Sequence, residues 1–380
     1  MRVLFIRDNA VKPDVRVEKE IKSLIDQGIN ISVLGWDKML KEKTDDYIID
    51  NKTVNIHRFK IKCSLGGGFK KNIIPLVKFQ FAELIYLLKH INEFDVIHAC
   101  DFNTAFTASI VCMLKKKPYI YDIFDYYVDT FSVPKFLKKF IEKLDHNVIK
   151  NSYRTILCSE KRVEQVGLGE SDKYVIVHNS PINEEIDLHA IQLKSDSNKY
   201  KISYIGTLAK KRRLDIFANA IQKMDDCEFH VAGFGELEEY FKDLSLNSKN
   251  IFFYGKTDYK QTLCLEKKCD AMVALYPLDV KNHVYAAPNK FYEALMLGKP
   301  LMMIKGSGMS EEIEKNGFGA LVDESIQSMQ QGINEMIELS KQKNLPERMN
   351  DLFIHKYNWD IMGKRIVEIY KALDKEINIK

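Results

Sequence analysis

One stretch of the chain, His283–Val284–Tyr285–Ala286–Ala287–Pro288–Asn289–Lys290–Phe291–Tyr292–Glu293–Ala294–Leu295–Met296–Leu297–Gly298, combines residue types at spacings that can do chemistry. Pro288 suits a first helical position, Gly298 suits a stop just past the last turn, and Phe291, Leu295 and Gly298 fall on one stripe between them. The pattern predicts one short capped helix. Its first turn, with Asn289 and Lys290, leaves backbone N–H groups without intrahelical acceptors at the positive end of the helix dipole, which is a phosphate site. Glu293 follows almost one turn further in, where a carboxylate can accept from the two hydroxyls of a ribose. The stretch reads as a nucleotide cradle.

Other groups of the same kind lie near the ends of expected strands. Gly206–Thr207–Leu208–Ala209–Lys210–Lys211–Arg212–Arg213 places a glycine, which permits close approach, before four cations. The four, Lys210, Lys211, Arg212 and Arg213, suit two linked phosphates, the alternatives being a solvated charge run or a nucleic-acid patch. Gly233–Phe234–Gly235 matches half of a dinucleotide fingerprint; without a third glycine it is expected to be a tight turn beside the nucleotide rather than a nicotinamide site. His98, in Val96–Ile97–His98, is expected to end a strand as a donor or base, against the alternative of a structural histidine. Asp122 and Asp125 are expected to end the next strand and to contact an acceptor hydroxyl, the alternative for one of them being a helix cap.

These groups need a scaffold, and the alternation of short apolar runs with amphipathic segments predicts an α/β fold of parallel sheets covered by helices. The 380 residues, 46% apolar, are too many for one core and suit two doubly wound, Rossmann-like domains. Strands are expected at Arg2–Ile6, Ile31–Leu34, Val54–Phe59, Val96–His98, Tyr119–Asp122, Thr155–Cys158 and Val175–Val177. After the turn formers of His178–Asn183 the alternation restarts with Lys201–Ile205, Glu228–Ala232, Ile251–Phe253, Ala271–Leu275, Pro300–Ile304 and Ala320–Val322. The domains are therefore placed at 1–182 and 183–359. Gly66–Gly67–Gly68 is expected to open a flexible loop before a long helix around Ile73–Ile91. In such sheets ligands lie beyond the carboxyl ends of the strands, so the site is expected in a cleft between the domains.

The net charge of +4 is spread along the chain and gives no reason to expect nucleic-acid binding. Seven scattered cysteines without a Cys-x-x-Cys suit reduced thiols in a cytoplasmic protein, and no metal site is expected. No secretory leader and no membrane-spanning run is expected either.

Residues 283–300, with the Gly206–Arg213 loop, the Val231–Gly235 turn, His98 and the Trp359–Asp360 entry to a last helix, resemble the retaining glycosyltransferase family four, whose two-Rossmann-domain architecture is called GT-B. The resemblance covers essentially the whole chain. It implies transfer of a sugar from a nucleotide diphosphate sugar, UDP-linked by preference and GDP-linked as the alternative, to a saccharide or lipid-linked saccharide acceptor in surface polysaccharide synthesis. It implies retained anomeric configuration, no metal and no cofactor other than the donor substrate, and a final helix, 360–380, that returns to the first domain.

By the same resemblance Glu293 holds the donor ribose, Arg212 with Lys210 or Lys211 holds the pyrophosphate, and His98 contacts the donor sugar near the reacting carbon. Arg16, in Pro13–Asp14–Val15–Arg16–Val17, resembles an acceptor-side feature of polysaccharide-building members. The chain departs from the pattern at Tyr285, where the family usually has a glutamate beside the donor sugar; a phenol cannot offset positive charge on the sugar as a carboxylate does. A non-catalytic nucleotide-sugar-binding relative, or a partner subunit of a glycosyltransferase, is the alternative.

Two lysine-rich segments of the first domain, Phe69–Lys70–Lys71–Asn72 and Pro134–Lys143, set Lys beside Phe and Leu at helical spacing. This is the pattern of an interfacial helix on an anionic bilayer, the alternative being an ordinary helix with its lysines in water. A location on the inner membrane face is the expectation that follows.

Overall fold

The computed structural model describes residues 1–41, 46–49, 51–64, 68–130 and 133–379, with the backbone alone at 46, 68–71 and 135. Two compact units emerge, Met1–His178 with Met362–Lys380 and Asn179–Ile361. The junction falls between His178 and Asn179, at the start of the turn formers His178–Asn183 rather than at the boundary of 182 and 183 expected from the sequence.

Unit 1 is built on strands β1 (Arg2–Ile6), β2 (Asn30–Trp36), β3 (Asp46–Ile49), β4 (Lys52–Phe59), β5 (Val96–Cys100), β6 (Tyr119–Ile123), β7 (Arg154–Leu157) and β8 (Tyr174–Ile176). Their order in the sheet is β3-β4-β2-β1-β5-β6-β7-β8, and only β3 runs antiparallel, to β4. Helices α1 (Val15–Ile25), α2 (Gly68–His90), α3 (Phe102–Lys115), α4 (Tyr127–Thr130), α5 (Lys135–Asn151) and α6 (Lys161–Val166) connect them. β5 and β6 are buried along their whole length, as a strand covered by helices on both faces must be.

Unit 2 carries β9 (Tyr200–Thr207), β10 (Cys227–Phe234), β11 (Ile251–Phe253), β12 (Ala271–Ala274), β13 (Leu301–Ile304) and β14 (Gly319–Val322) in the order β11-β10-β9-β12-β13-β14. Its helices are α7 (Leu214–Ile221), α8 (Glu238–Asn247), α9 (Tyr259–Lys268), α10 (Asn289–Leu297), α11 (Ser310–Asn316), α12 (Ile326–Ser340) and α13 (Leu345–Leu352). One core packs Phe217, Phe229 and Phe241 with Met302, Met329 and Met336, and a second packs Phe291, Tyr292 and Tyr357 around α10. A last helix, α14 (Trp359–Ile379), starts at the end of unit 2 and belongs to unit 1 from Met362 onward. Among the described residues no helix is long and apolar enough to cross a membrane.

The strand order fixes where ligands go. In unit 1 the chain winds outward in one direction from β1 and in the other from β5, and in unit 2 the reversal falls between β9 and β12. At such a switch point the two connections leave on opposite faces and a crevice opens beyond the strand ends. The relevant segments are those after Ile6 and Cys100 in unit 1, and after Thr207 and Ala274 in unit 2.

Three details differ from the sequence reading. Residues 46–49 form β3, an edge strand absent from the strands expected of the sequence. Pro288 is the N-cap of α10, with extended φ and ψ of −69° and 139°, rather than its first helical residue. β5 runs on through Cys100, two residues past His98, and this displaces the histidine from the strand end. Gly66 and Gly67 lie outside the described residues, as do the side chains of Phe69, Lys70 and Lys71.

Candidate nucleotide-binding site

The second unit gathers its charged groups at the switch point. β9 ends in Gly206–Thr207, and a single 3-10 turn, Lys210–Arg212, lifts the cations out of the sheet. Gly206 has φ 153°, and a Cβ built there lies 3.6 Å from Lys290 Nζ, so the loop after β9 and the first turn of α10 are neighbours. The Arg212 guanidinium lies over the Tyr276 ring at 3.7 Å, just past β12. Lys290 Nζ stands over the Tyr204 ring at 5.2 Å, and Tyr204 Oη donates to the Thr207 carbonyl. Two tyrosines at the ends of the two switch-point strands thus seat the two cations.

Gly233 and Gly235 explain why this loop can form. A Cβ at Gly233, where φ is 138°, would lie 1.8 Å from the Gly206 carbonyl oxygen, and one at Gly235 would lie 2.9 Å from the Leu208 carbonyl oxygen. The glycine pair closing β10 therefore holds the Gly206–Leu208 backbone in place. The Gly306–Ser307–Gly308 turn, which the sequence reading did not single out, does the same for the approach to α10. Gly308 N–H donates to the His283 carbonyl at 3.1 Å, and its Cα sits against the Ala286 carbonyl.

The electrostatics around α10 are those of a largely covered cation beside buried carboxyls. Lys290 Nζ is 3.9 Å from Glu266 Oε1, and Glu266 and Glu293 are both buried. Although burial works against its charge, Lys290 is held above the usual lysine range by these two carboxyls. Burial first, and Glu293 second, push Glu266 well above the carboxylate range. Neither Glu266 oxygen has a hydrogen-bond partner among the described residues. Glu293 is hydrogen-bonded by the Tyr259 phenol. Asn289 is exposed at the helix tip, its Oδ1 accepting from Asn179 Nδ2 at 3.0 Å. With Pro288 as cap, the first-turn amides of α10 carry the dipole's positive end.

Arg212 and Arg213 divide the work that the sequence left shared. Arg213, at φ 53°, is tied to Glu324 and Asp279 and anchors the turn. Arg212 has His283 Nε2 at 3.4 Å. Since His283 Nδ1 lies 2.8 Å from the Pro277 carbonyl, that nitrogen carries the proton and Nε2 is the lone-pair side. Burial and the Arg212 charge hold His283 down at about 4, so it is neutral near pH 7. Lys210 and Lys211 are exposed, and Tyr285 is half-buried in a short 3-10 segment, Lys281–Tyr285. Glu266, Tyr204, Tyr276 and His283 were missed as site residues; the signal was there for Tyr276, just past switch-point strand β12, and for His283, the first residue of the 283–298 stretch.

In unit 1 the structure corrects the placement of His98, Arg16 and Asp122. His98 is fully buried, its ring stacked on Phe5 at 4.1 Å and its Nδ1 2.7 Å from Tyr370 Oη of α14. Its Nε2 faces Asp122 Oδ2 at 3.5 Å and Glu20 Oε2 at 3.7 Å. Arg16 bridges the same carboxyls, donating to Glu20 at 3.0 Å and to Asp122 at 2.7 Å. All of these side chains are at most 4% exposed. Burial lowers His98; burial raises Glu20 well above its usual range; Arg16 and His98 hold Asp122 low against burial. The arrangement is an interior polar network under α1 and α14, and it offers none of these groups to a ligand at the surface. His98, Cys100 and Asp122 set ligand atoms within 4.8 Å of one another, but Arg16 already supplies the positive charge there.

The accessible chemistry of unit 1 lies one step further along the chain. Asp101, directly after β5, has φ 64° and ψ 163°, a conformation costly for any residue but glycine. Its Oδ1 accepts from the Phe124 and Asp125 amides at 2.9 and 3.3 Å, and Arg7, directly after β1, pairs with its other oxygen. Burial pushes the Asp101 carboxyl up to about 6 despite Arg7. Asp125, about half exposed, pairs with Arg162 at 2.9 Å. Arg7 and Arg16 both stack on Phe124, at 4.2 and 4.3 Å.

With this geometry in place, residues 185–352 match the family described as glycosyl transferases group 1. The second unit is a glycosyl transferase group 1 domain. The matched segment contains every unit 2 residue singled out above except Asn179. No curated protein sequence matches the chain. Among solved structures it is similar to sucrose-phosphate synthase from Thermosynechococcus elongatus, with 14% identity over 99% of this chain and 100% of that one and a TM-score of 0.76. HepE of Anabaena in complex with UDP is similar at 17% identity over 98% and 100%, TM-score 0.66. The lipopolysaccharide outer core galactosyltransferase WaaB is similar at 14% identity over 98% and 99%, TM-score 0.66. The fold is the GT-B fold of glycosyltransferases, two parallel-sheet Rossmann-like domains.

Proposed function

We propose that the protein is a retaining glycosyltransferase that moves a sugar from a UDP-sugar to a saccharide or lipid-linked saccharide acceptor, without a metal. One observation carries the reading: Lys290, in the first turn of α10, lies against Gly206 after β9, and Arg212 of the same loop stacks on Tyr276 just past β12, all at the switch point of unit 2 and inside the segment that matches the family. Departure of a nucleoside diphosphate builds negative charge on its phosphate oxygens, and preorganised cations and N–H groups stabilise that charge. Lys290, already balanced by Glu266 and Glu293, is held rigid for this role. Glu293 is our candidate for the ribose contact, with Asn289, Lys210 and Lys211 bordering the phosphates. HepE, which shares the fold, is described in complex with UDP and with UDP-glucose, which supports uridine over guanosine. On the acceptor side we keep Asp125 and add Asp101 and Arg7, which follow the switch-point strands of unit 1, in place of the buried Arg16 and Asp122; His98, expected at the donor sugar, is buried as well.

A thermal-shift panel of UDP, GDP and their sugars tests this directly. Stabilisation by UDP and a UDP-sugar, followed by donor turnover that Glu293→Ala abolishes, supports the proposal. If no nucleoside diphosphate stabilises the protein, the donor site is wrongly placed. Binding of UDP without transfer or slow donor hydrolysis would favour the non-catalytic alternative, which Tyr285 motivates.

A further inference from the structure

Helix α2 is apolar on both sides. Its inner face buries Phe79 and Leu87, while Ile74, Val77, Phe81, Ile85 and Leu88 recur at helical spacing on the exposed side. Phe81 is 61% exposed, Leu114 at the end of α3 71%, and Phe136 on α5 81%, with Phe140 one turn further on. Large apolar side chains clustered on neighbouring helices are not the ordinary scatter of a soluble surface.

A cavity of about 430 Å³ opens among these helices, walled by Val77, Phe81, Leu84, Phe106, Ile110 and Ile141. Val77, Phe81 and Ile110 are also exposed, so they form its mouth. The polar groups in its wall are already paired: Gln80 donates to the Asn103 carbonyl and accepts from Thr107, and Asn103 donates to Asp8 at 2.8 Å. A polar ligand would gain few bonds there, whereas a hydrocarbon chain would lose none. The exposed charges on the same helices have one sign, their acids, Glu83, Glu142 and Asp145, being buried or half-buried. Lys78, Lys89, Lys115, Lys116, Lys139 and Lys143 are exposed, and no Asp or Glu of α2, α3 or α5 is exposed among the described residues.

We propose that the α2–α3–α5 face of unit 1 docks on an anionic lipid bilayer and that its cavity takes one hydrocarbon chain from that bilayer. Apolar side chains entering the acyl region with lysines at headgroup level are the two components of stable interfacial binding. The inference stands without the donor site, and it deepens the proposed function by making the acceptor one presented at a membrane.

The test is flotation of the full chain with vesicles of phosphatidylcholine, with and without phosphatidylglycerol, at low salt. Binding is expected only with the anionic lipid, weakening as salt rises. The double variant Phe81→Glu/Phe140→Glu is expected to weaken it about tenfold or more while remaining monomeric. Its thermal shift with UDP should be unchanged, which separates this proposal from the donor-site reading. The indole introduced by Ile110→Trp should be quenched by vesicles of lipid brominated on the acyl chain. Absence of wild-type flotation, flotation indifferent to the double variant, or an unquenched indole overturns the proposal. So does a wild-type dimer that the double variant dissociates, because the face would then join two copies of the chain.

Discussion

Replacing Arg212 by Met separates a ligand-binding role from a structural one. The guanidinium stacks on Tyr276 at 3.7 Å, and its hydrogen-bond contact with protein is His283 Nε2 at 3.4 Å. Losing a cation–π contact of this kind costs about 0.5–2 kcal/mol, and the methionine stem recovers part of the packing on the ring. Folding stability should therefore fall by about 1 kcal/mol or less. Two charge-assisted hydrogen bonds to a diphosphate are worth about 1.5–3 kcal/mol each, so a loss of about 3 kcal/mol, roughly a hundredfold in Kd for UDP, is expected. Calorimetric titration with UDP and urea denaturation measure the two quantities separately. A third readout follows from His283, which burial and Arg212 together hold at about 4. In Arg212→Met the NMR-detected titration of His283 should move upward, because the larger of the two neighbouring charges that depress it is gone, while burial and Lys211 remain. Unchanged UDP affinity, or a stability loss well above the packing figure with UDP binding intact, would refute the assignment of Arg212 to the phosphates.

Gly206→Ala meets side-chain atoms no closer than 3.5 Å and is opposed mainly by its φ of 153°, so it should fold with a loss of about 1–3 kcal/mol and bind UDP more weakly. Gly233→Ala, facing a carbonyl oxygen at 1.8 Å, should be far more destabilising, as comparison of the two melting curves will show. Arg16→Met leaves the buried Glu20 and Asp122 without their cation and should cost about 3–5 kcal/mol in urea denaturation, a loss that a surface acceptor contact would not produce. Asp145, buried against Tyr121 Oη, is pushed up to about 7 by burial. Its folded value lies above the unfolded one near 3.9, so the unfolded state gives up its proton first and stability falls as pH rises from about 4 to about 7. Asp145→Asn should remove that slope and stabilise the protein at pH 8 by about 2–4 kcal/mol; a pH series of denaturation midpoints that stays parallel to wild type would count against it.

The sequence by itself determined the fold class, nearly every strand and the loops that end them. Those features are local: the period-two and period-3.6 patterns, the Gly298 stop and the Gly206–Arg213 turn each sit within a few residues of the chemistry they serve. It also carried the cations to the carboxyl end of β9, because a parallel sheet delivers its loops to that edge. What it did not contain was which of two adjacent residues faces outward. His98 and Asp101 are three positions apart, yet β5 extends through Cys100 and α14 lays Tyr370 over the histidine, so one is interior and the other stands at the switch point. Arg212 and Arg213 likewise read alike until Asp279 and Glu324 claim the second. Glu266 is an ordinary helical glutamate in the sequence; only the packing of α9 beside α10 buries it against Lys290. The outward apolar face of α2 was hidden for the same reason, since the pattern shows that a helix is apolar but only its neighbours decide which side they cover. Burial and partnership depend on residues far apart in the chain, and those contacts exist only once the units have folded.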